Sequence, residues 1–351
     1  MKSLRLIFLA VILLLFNSCV DPLELELDPD ARRLVVDGMI TDEPGPYSVR
    51  LSRSKQYDSY HDNWSVVEAG ARVIISDNRG NQETLTETAP GLYQTSADGI
   101  RGQVGVTYTL QITTKGGQQY TSAPETMQPV GPIDSLYFEV RPYFELNEED
   151  VQVTRYAVHV LLDAEDPAAE KNYYMWRWQG TFRVSTQPWD YTEKVGNVRV
   201  PMPKDCCETC WVTANTNSIN VLDDRLTNGT NLKRHLVTHI PVTEQAFGFK
   251  YHLEVKQYSL SEAAFNYWRI LKSQIERGGS IQDPPPANVI GNMSSISNPD
   301  ERVLGFFGAS AMASKAFFIN REELGIRVGP YVMPDDCRVL SNSTTVQPVF
   351  W

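Results

Sequence analysis

The sequence predicts a mainly β protein: an Ig-like or prealbumin-like antiparallel β-sandwich over about residues 31–130, then a second β-rich domain at 131–351 carrying one amphipathic helix near 260–277. Three observations carry this reading. Short segments alternate apolar and polar residues, turn-forming clusters separate them at spacings of roughly ten residues, and a long apolar stripe at helical spacing stands out in one place.

Residues 33–40 and 47–51 read as strands, separated by Asp42-Glu43-Pro44-Gly45-Pro46, whose prolines and glycine preset or relax φ. A further strand at 71–76 is closed by Asp77-Asn78-Arg79-Gly80. The clearest is 107–114, where Tyr108, Leu110 and Ile112 face one way and Thr109, Gln111 and Thr113 the other, the period of a half-buried strand. Gly116-Gly117 then turns the chain into 118–122 as a hairpin. Residues 124–134, rich in proline, form the linker candidate.

Beyond it, 135–140 and 156–162 read as strands divided by an acidic loop at 145–150. Residues 172–178 alternate aromatic with other side chains and run on to Phe182 and Val184. Such a stripe can stack on sugars, but it reads first as core because aromatic rings bury large areas. Ser259-Leu260-Ser261-Glu262 has capping-box spacing, Phe265, Trp268, Leu271 and Ile275 recur at helical spacing, and Gly278-Gly279 ends the helix. The run Asp283-Pro284-Pro285-Pro286-Ala287-Asn288 is stiff and extended. Strands at 303–309 and 316–319 close the body.

The N-terminus gives an address. Lys2 and Arg5 precede an apolar run from Leu6 to Phe16, which is too short for a bilayer that needs roughly 20 apolar residues, and so residues 1–18 read as a secretory signal peptide. Phe16-Asn17-Ser18-Cys19 resembles the lipobox of bacterial lipoproteins, which implies acyl chains on Cys19 and firm attachment to a membrane. Asp21, Glu24, Glu26, Asp28 and Asp30, interrupted by Pro22 and Pro29, predict a solvated acidic tether over 19–30. This stretch is similar to the signal that sends lipoproteins of Bacteroidota to the outer face of the outer membrane, which implies cell-surface display.

Hydrophobic residues make up 42% and charged residues 21% of the chain, a globular composition. A formal charge of −11 argues against nucleic acid or anionic lipid as the main partner. With Cys19 assigned to lipid, Cys206, Cys207, Cys210 and Cys337 remain, an even number suited to disulfides in an oxidising compartment. Adjacent cysteines rarely bond each other, so Cys206 and Cys207 are expected to take different partners, one of them Cys337. Cys207-Glu208-Thr209-Cys210 has the spacing of a zinc knuckle, yet a tetrahedral site needs a second pair.

The motif search points away from catalysis. There is no Gly-x-Ser-x-Gly elbow, no His-Glu-x-x-His and no phosphate loop ending in Gly-Lys-Ser or Gly-Lys-Thr. His235 and His239, four apart, would share one face but lack an evident third ligand. Asp163, Glu165 and Asp166, or Asp223 and Asp224, could hold calcium, but neither group has an EF-hand pattern, and no cofactor is expected.

Leu34-Val35-Val36-Asp37-Gly38, Gly91-Leu92-Tyr93, residues 259–268, and above all Pro284-Pro285-Pro286-Ala287-Asn288-Val289-Ile290-Gly291-Asn292 leading to Val303-Leu304-Gly305-Phe306-Phe307 resemble the lipoprotein family catalogued as domain of unknown function 4249 in Bacteroidota. The resemblance runs through most of the chain. It implies an outer-membrane lipoprotein that serves a TonB-dependent receptor β-barrel as accessory or cargo-binding partner, the cargo unnamed and no catalytic residue carried over. The alternatives are a surface glycan-binding protein using Trp176, Trp178, Trp189 or Trp211, and a hydrolase or inhibitor whose site is assembled from distant residues.

Overall fold

The computed structural model describes residues 32–54, 66–167, 171–225, 229–276 and 289–351. The signal peptide, Cys19, the acidic tether, Gly278-Gly279 and Pro284-Pro285-Pro286 lie outside the described residues. The strands in the first part are β1 (Leu34–Thr41), β2 (Ser48–Arg53), β3 (Val66–Val67), β4 (Arg72–Asp77), β5 (Gln82–Thr84), β6 (Thr86–Ala89), β7 (Leu92–Gln94), β8 (Thr107–Thr113), β9 (Gln119–Ser122) and β10 (Glu125–Thr126). There follow β11 (Ile133–Leu146), β12 (Gln152–Ala164), β13 (Tyr173–Ser185), β14 (Thr192–Val195), β15 (Val198–Pro201), β16 (Thr209–Asn215), β17 (Asn220–Asp223), β18 (Leu232–Pro241), helix α1 (Glu244–Phe247) and β19 (Lys250–Ser259). Helix α2 (Glu262–Ile275) precedes β20 (Met293–Ser295), β21 (Leu304–Ser310), β22 (Met312–Asn320) and β23 (Ser343–Thr344).

The fold is mainly β, with several antiparallel sheets and two short helices, one more than the sequence pattern suggested. In the N-terminal sandwich one sheet runs β21-β1-β2-β7-β6 and the other β20-β9-β8-β4-β5. Alternation works as the sequence promised: Tyr108, Leu110 and Ile112 of β8 are buried with Leu34, Val36 and Ile40 of β1, Val49 and Leu51 of β2, and Val73 and Ile75 of β4.

Strands β20 and β21 come from a stretch that the sequence reading gave to the C-terminal domain, yet they pair in the sandwich. β21 lies parallel to β1, from Val35 opposite Leu304 to Thr41 opposite Ser310. Its sequence, Leu-Gly-Phe-Phe-Gly-Ala-Ser, is buried almost throughout, as suits a strand covered on both faces. Gly305 makes the approach possible. Its φ is +94°, and a Cβ there would stand 1.8 Å from the Val36 carbonyl oxygen.

In the C-terminal body, sheet β11-β12-β18 shares a core with sheet β22-β19-β13-β16-β23, with β17 also on β13. Val158, Val160 and Leu162 of β12 meet Tyr174, Trp176, Phe182 and Val184 of β13 and Leu253 and Val255 of β19. Trp176 donates from Nε1 to the buried Gln257 Oε1 at 2.8 Å, so its polar edge is satisfied.

Helix α2 joins the two parts. Ala264 and Phe265 are buried with Met175 and Tyr258 of the body and Phe306 of the sandwich, while Tyr267 and Trp268 pack on the same cluster. Ser261, not Ser259, caps it: the Ser261 side chain accepts from Ala264 N. Ser259 ends β19 instead, its hydroxyl donating to Gln128 O and accepting from Ala311 N. Ile275 is exposed rather than part of the buried stripe. The linker candidate is packed as well, with Glu125 and Met127 buried and Gly131 O accepting from Gln257. Among the described residues, no helix is long and apolar enough to cross a membrane.

Candidate functional site

The candidate site lies on the outward face of β13 and β19. Inward positions of these strands fill the core, so the residues between them must face out. Register places Arg177 opposite Lys256 and Gln179 opposite Glu254, giving a block of four long polar side chains on one face. Strand β13 pairs with β16 from Gln179 to Ser185 and with β17 from Tyr173 to Trp176. The connection between β16 and β17, Thr216 to Ile219, rises beside the block. It is tied down by Thr216 N donating to Trp178 O at 2.9 Å. Trp268 of α2 stands on the other side.

Together these groups enclose a cavity of about 550 Å³, within the ordinary range for a small-ligand site. A second cavity of about 340 Å³ shares Arg177 and Trp268 with it and is lined from the sandwich by Asp37 and Arg50. The two parts of the molecule therefore meet around Arg177.

The polar groups divide into engaged and free. Lys256 Nζ donates to both Glu43 oxygens, at 3.0 and 3.2 Å, across the junction from the β1–β2 turn. Burial works against its ammonium, but the Glu43 carboxylate outweighs that and raises its pKa. Gln179 donates to Asn215, and Asn220 donates to the carbonyls of Leu236 and Val237. The Arg177 guanidinium lies 5.6 Å from the Trp268 ring centroid and 6.0 Å from that of Tyr258. Among the described residues, the side chains of Arg177, Glu254, Asn217 and Ser218 make neither a hydrogen bond nor an ion pair.

His235 lies behind this wall, its ring 4.0 Å from that of Trp176 and its Nε2 3.2 Å from Asn220 Oδ1. Burial, aided by the charge of Lys272, pushes its pKa down to about 4, so the ring is neutral at pH 7. A bulge in β18, where Val160 faces Thr238 but Leu161 faces Leu236, parts the two histidines. His239 remains exposed beside His159, so the shared face expected of His235 and His239 does not form.

Cys210 and Cys337 are joined, both fully buried, and Cys206 bonds Cys207 across a cis peptide. The expectation that Cys206 and Cys207 take different partners is corrected: Cys337 is drawn into the core beside Cys210, which among the described cysteines leaves the two neighbours each other. Of the acids named for calcium, Glu165 is exposed, Asp223 pairs with Arg225, and the other three hold structure. Asp163 accepts from Arg234 N and Tyr137 Oη, Asp166 from Tyr174 Oη and Gly229 N, and Asp224 from Asn172 N. Among the described residues no cluster of three metal-ligating side chains occurs.

Of the four tryptophans considered for sugar stacking, Trp176 and Trp211 are buried, Trp189 is exposed away from the cleft, and Trp178 lines it. Sequence reasoning missed Arg177, Glu254, Lys256 and the lining role of Trp268. Strand register alone brings the first three together, and Trp268 was hidden in a helical stripe that reads as core.

The chain belongs to the family described as Domain of unknown function (DUF4249). The family match spans residues 20–316, which takes in every residue lining the two cavities and the Glu43–Lys256 contact. It stops short of Cys337. No curated protein matches the sequence.

Proposed function

We propose that this chain is a lipid-anchored outer-membrane protein, displayed at the cell surface, that binds cargo in the cleft around Arg177 as the accessory partner of a TonB-dependent β-barrel transporter. The observation that carries the binding role is the cleft itself: a cavity of ligand size at the meeting of sandwich, sheet and helix, with a guanidinium and a carboxylate that make neither a hydrogen bond nor an ion pair. Buried or half-buried polar groups are normally hydrogen-bonded, so a wall of unengaged donors and acceptors is suited to a ligand that supplies the missing partners. Lys2, Arg5, the apolar run to Phe16 and Cys19 support the anchor, and the acidic residues behind Cys19 support display on a solvated tether.

A hydrolase gains no specific support. Glu254 is the one carboxylate lining the larger cavity among the described residues, whereas glycoside hydrolysis ordinarily uses a pair.

The test is purification of the tagged full chain from its native membrane in mild detergent. A large β-barrel receptor is expected to come with it, and Cys19→Ala is expected to move the protein into the soluble fraction. A partner-free preparation that fractionates identically with and without Cys19 overturns the proposal.

A further inference from the structure

We infer that the cleft takes a neutral carbohydrate, whose hydroxyls engage Arg177, Glu254, Asn217 and Ser218. The inference rests on the cargo-binding reading and names the chemistry of the cargo. It starts from the charges on the floor. Arg177 stands directly opposite Lys256, an unfavourable pairing of like charges, and Glu43 bridges to Lys256 alone. Glu254 lies one step along on the same face, diagonal to Arg177, yet no ion pair joins them. The cleft thus presents a donor-only guanidinium, resting on the Trp268 and Tyr258 rings, and an acceptor-only carboxylate side by side, neither of them hydrogen-bonded or ion-paired.

An anionic ligand would meet Glu254 and a cationic one Arg177. A hydroxyl is both donor and acceptor, so a polyol can satisfy both groups without carrying a charge that either repels. Asn217 and Ser218 add a carbonyl oxygen, an amide and a hydroxyl on the adjoining loop, all unengaged. Trp268 lines both cavities, and its ring provides apolar area against which the C–H face of a sugar can pack.

A peptide also brings donors and acceptors, but an extended peptide is ordinarily held along a free strand edge. Here the floor is a sheet face. β19 is paired by β13 and β22, and β13 by β19 on one side and β16 and β17 on the other, so neither offers an edge. Side chains, not backbone, do the recognising.

The experiment is titration calorimetry of the full mature chain against a panel of probes: hexasaccharides of maltose, cellulose, mannose and xylose type, oligogalacturonide as an acidic sugar, and neutral and acidic hexapeptides. Binding of at least one neutral sugar is expected. Its affinity should change little between about 50 and 500 mM salt, because no ligand charge is being screened. Arg177→Met keeps an unbranched apolar stem but removes the donors and the guanidinium's contact with Tyr258 and Trp268, and should weaken that sugar about ten-fold or more. Glu254→Ala should do likewise, and Asn217→Ala, on an exposed loop, should weaken it without moving the melting temperature.

Preference for the acidic sugar with steep salt dependence, preference for a peptide, or unchanged sugar binding in Arg177→Met overturns the carbohydrate inference and leaves a cargo cleft of another specificity. Absence of binding by every probe also overturns it. Blocking the cleft with Ser218→Trp separates the two levels: if receptor-dependent growth on every nutrient tested is then unimpaired, the cargo role itself fails.

Discussion

The outward side chains of β8 in the sandwich are Thr107, Thr109 and Gln111, all uncharged, whereas the outward row of β13 and β19 carries the ionisable Arg177, Glu254 and Lys256 beside Gln179. Both sheets obey the same alternation, and both bury the intervening residues in an apolar core. The difference lies in what stands beside the outward face. The face of β13 and β19 is overlooked by α2 and by the loop between β16 and β17, so Arg177, Glu254 and Lys256 are half-buried around a cleft while Gln179 stays exposed. A site on a sheet needs a break in the regular pairing next to it, and the handover of β13 from β16 to β17 is that break.

The two regions also differ in how distant chain segments are closed. In the body, Cys210 and Cys337 link positions 127 residues apart in the chain. Replacing both with serine should lower unfolding free energy by about 4–5 kcal/mol, the chain-entropy value for a loop of that size. The double change of Cys206 and Cys207 closes no loop and should alter it by less than about 0.5 kcal/mol. Urea unfolding of both variants decides the matter. Equal losses would break the view that the long link, not the number of cysteines, secures the body.

In the sandwich the distant closure is the parallel strand β21. Gly305→Ala should cost about 3 kcal/mol, because the positive φ and the Val36 carbonyl both exclude a Cβ. Gly308→Ala on the same strand is the control. Its Cβ would meet only Met39 Cγ, at 3.7 Å, an ordinary contact, so a change under about 1 kcal/mol is expected in thermal melts. If the two cost the same, the seam between β1 and β21 is not what limits the sandwich.

These closures explain what the sequence could and could not reveal. Alternation at 107–114 reports local geometry, and β8 lies where that pattern put it. The partner of β1 is set by a strand more than 250 residues away in the chain, and apolar content alone does not name a partner. The capping signal at 259–262 was real, but two serines competed for it, and hydrogen bonds to Gln128 and Ala311 decided that Ser259 ends a strand. The cleft was illegible for the same reason as the parallel pair: Arg177, Glu254 and Trp268 sit on three elements, and only register and helix docking bring them to one wall.

Acid should act on the body first. His235 is held neutral, with a pKa pushed down from 6.5 to about 4, and the sandwich carries no histidine among its described residues. Its contribution is full above the unfolded value of 6.5 and is lost as pH falls from there towards 4, because the unfolded chain then binds a proton that the folded one refuses. Allowing for its partly exposed ring, the loss is about 2 kcal/mol. His235→Phe, which keeps a ring beside Trp176, should flatten the melting temperature over that interval, and an unchanged slope would assign the acid sensitivity to other groups.

Glu125 should make the seam beside the sandwich respond in the opposite direction. Its side chain is buried on β10, Oε1 accepting from Asn292 at 3.3 Å and Oε2 lacking a partner. Burial raises its pKa above 4.5 and outweighs the nearby Ser261 hydroxyl and Asn292 amide, which favour the ionised form. The contribution of the protonated carboxyl is full below the unfolded value and is lost as pH rises through the raised folded one. Glu125→Gln keeps the shape and removes the charge, so it should match the parent in acid and exceed it by about 1 kcal/mol at pH 8. The two variants then flatten opposite limbs of the stability profile. If Glu125→Gln instead matches the parent in acid but destabilises at pH 8, its carboxylate is accepting a hydrogen bond that holds Asn292 to β10, and the seam is secured by charge and not merely tolerant of it.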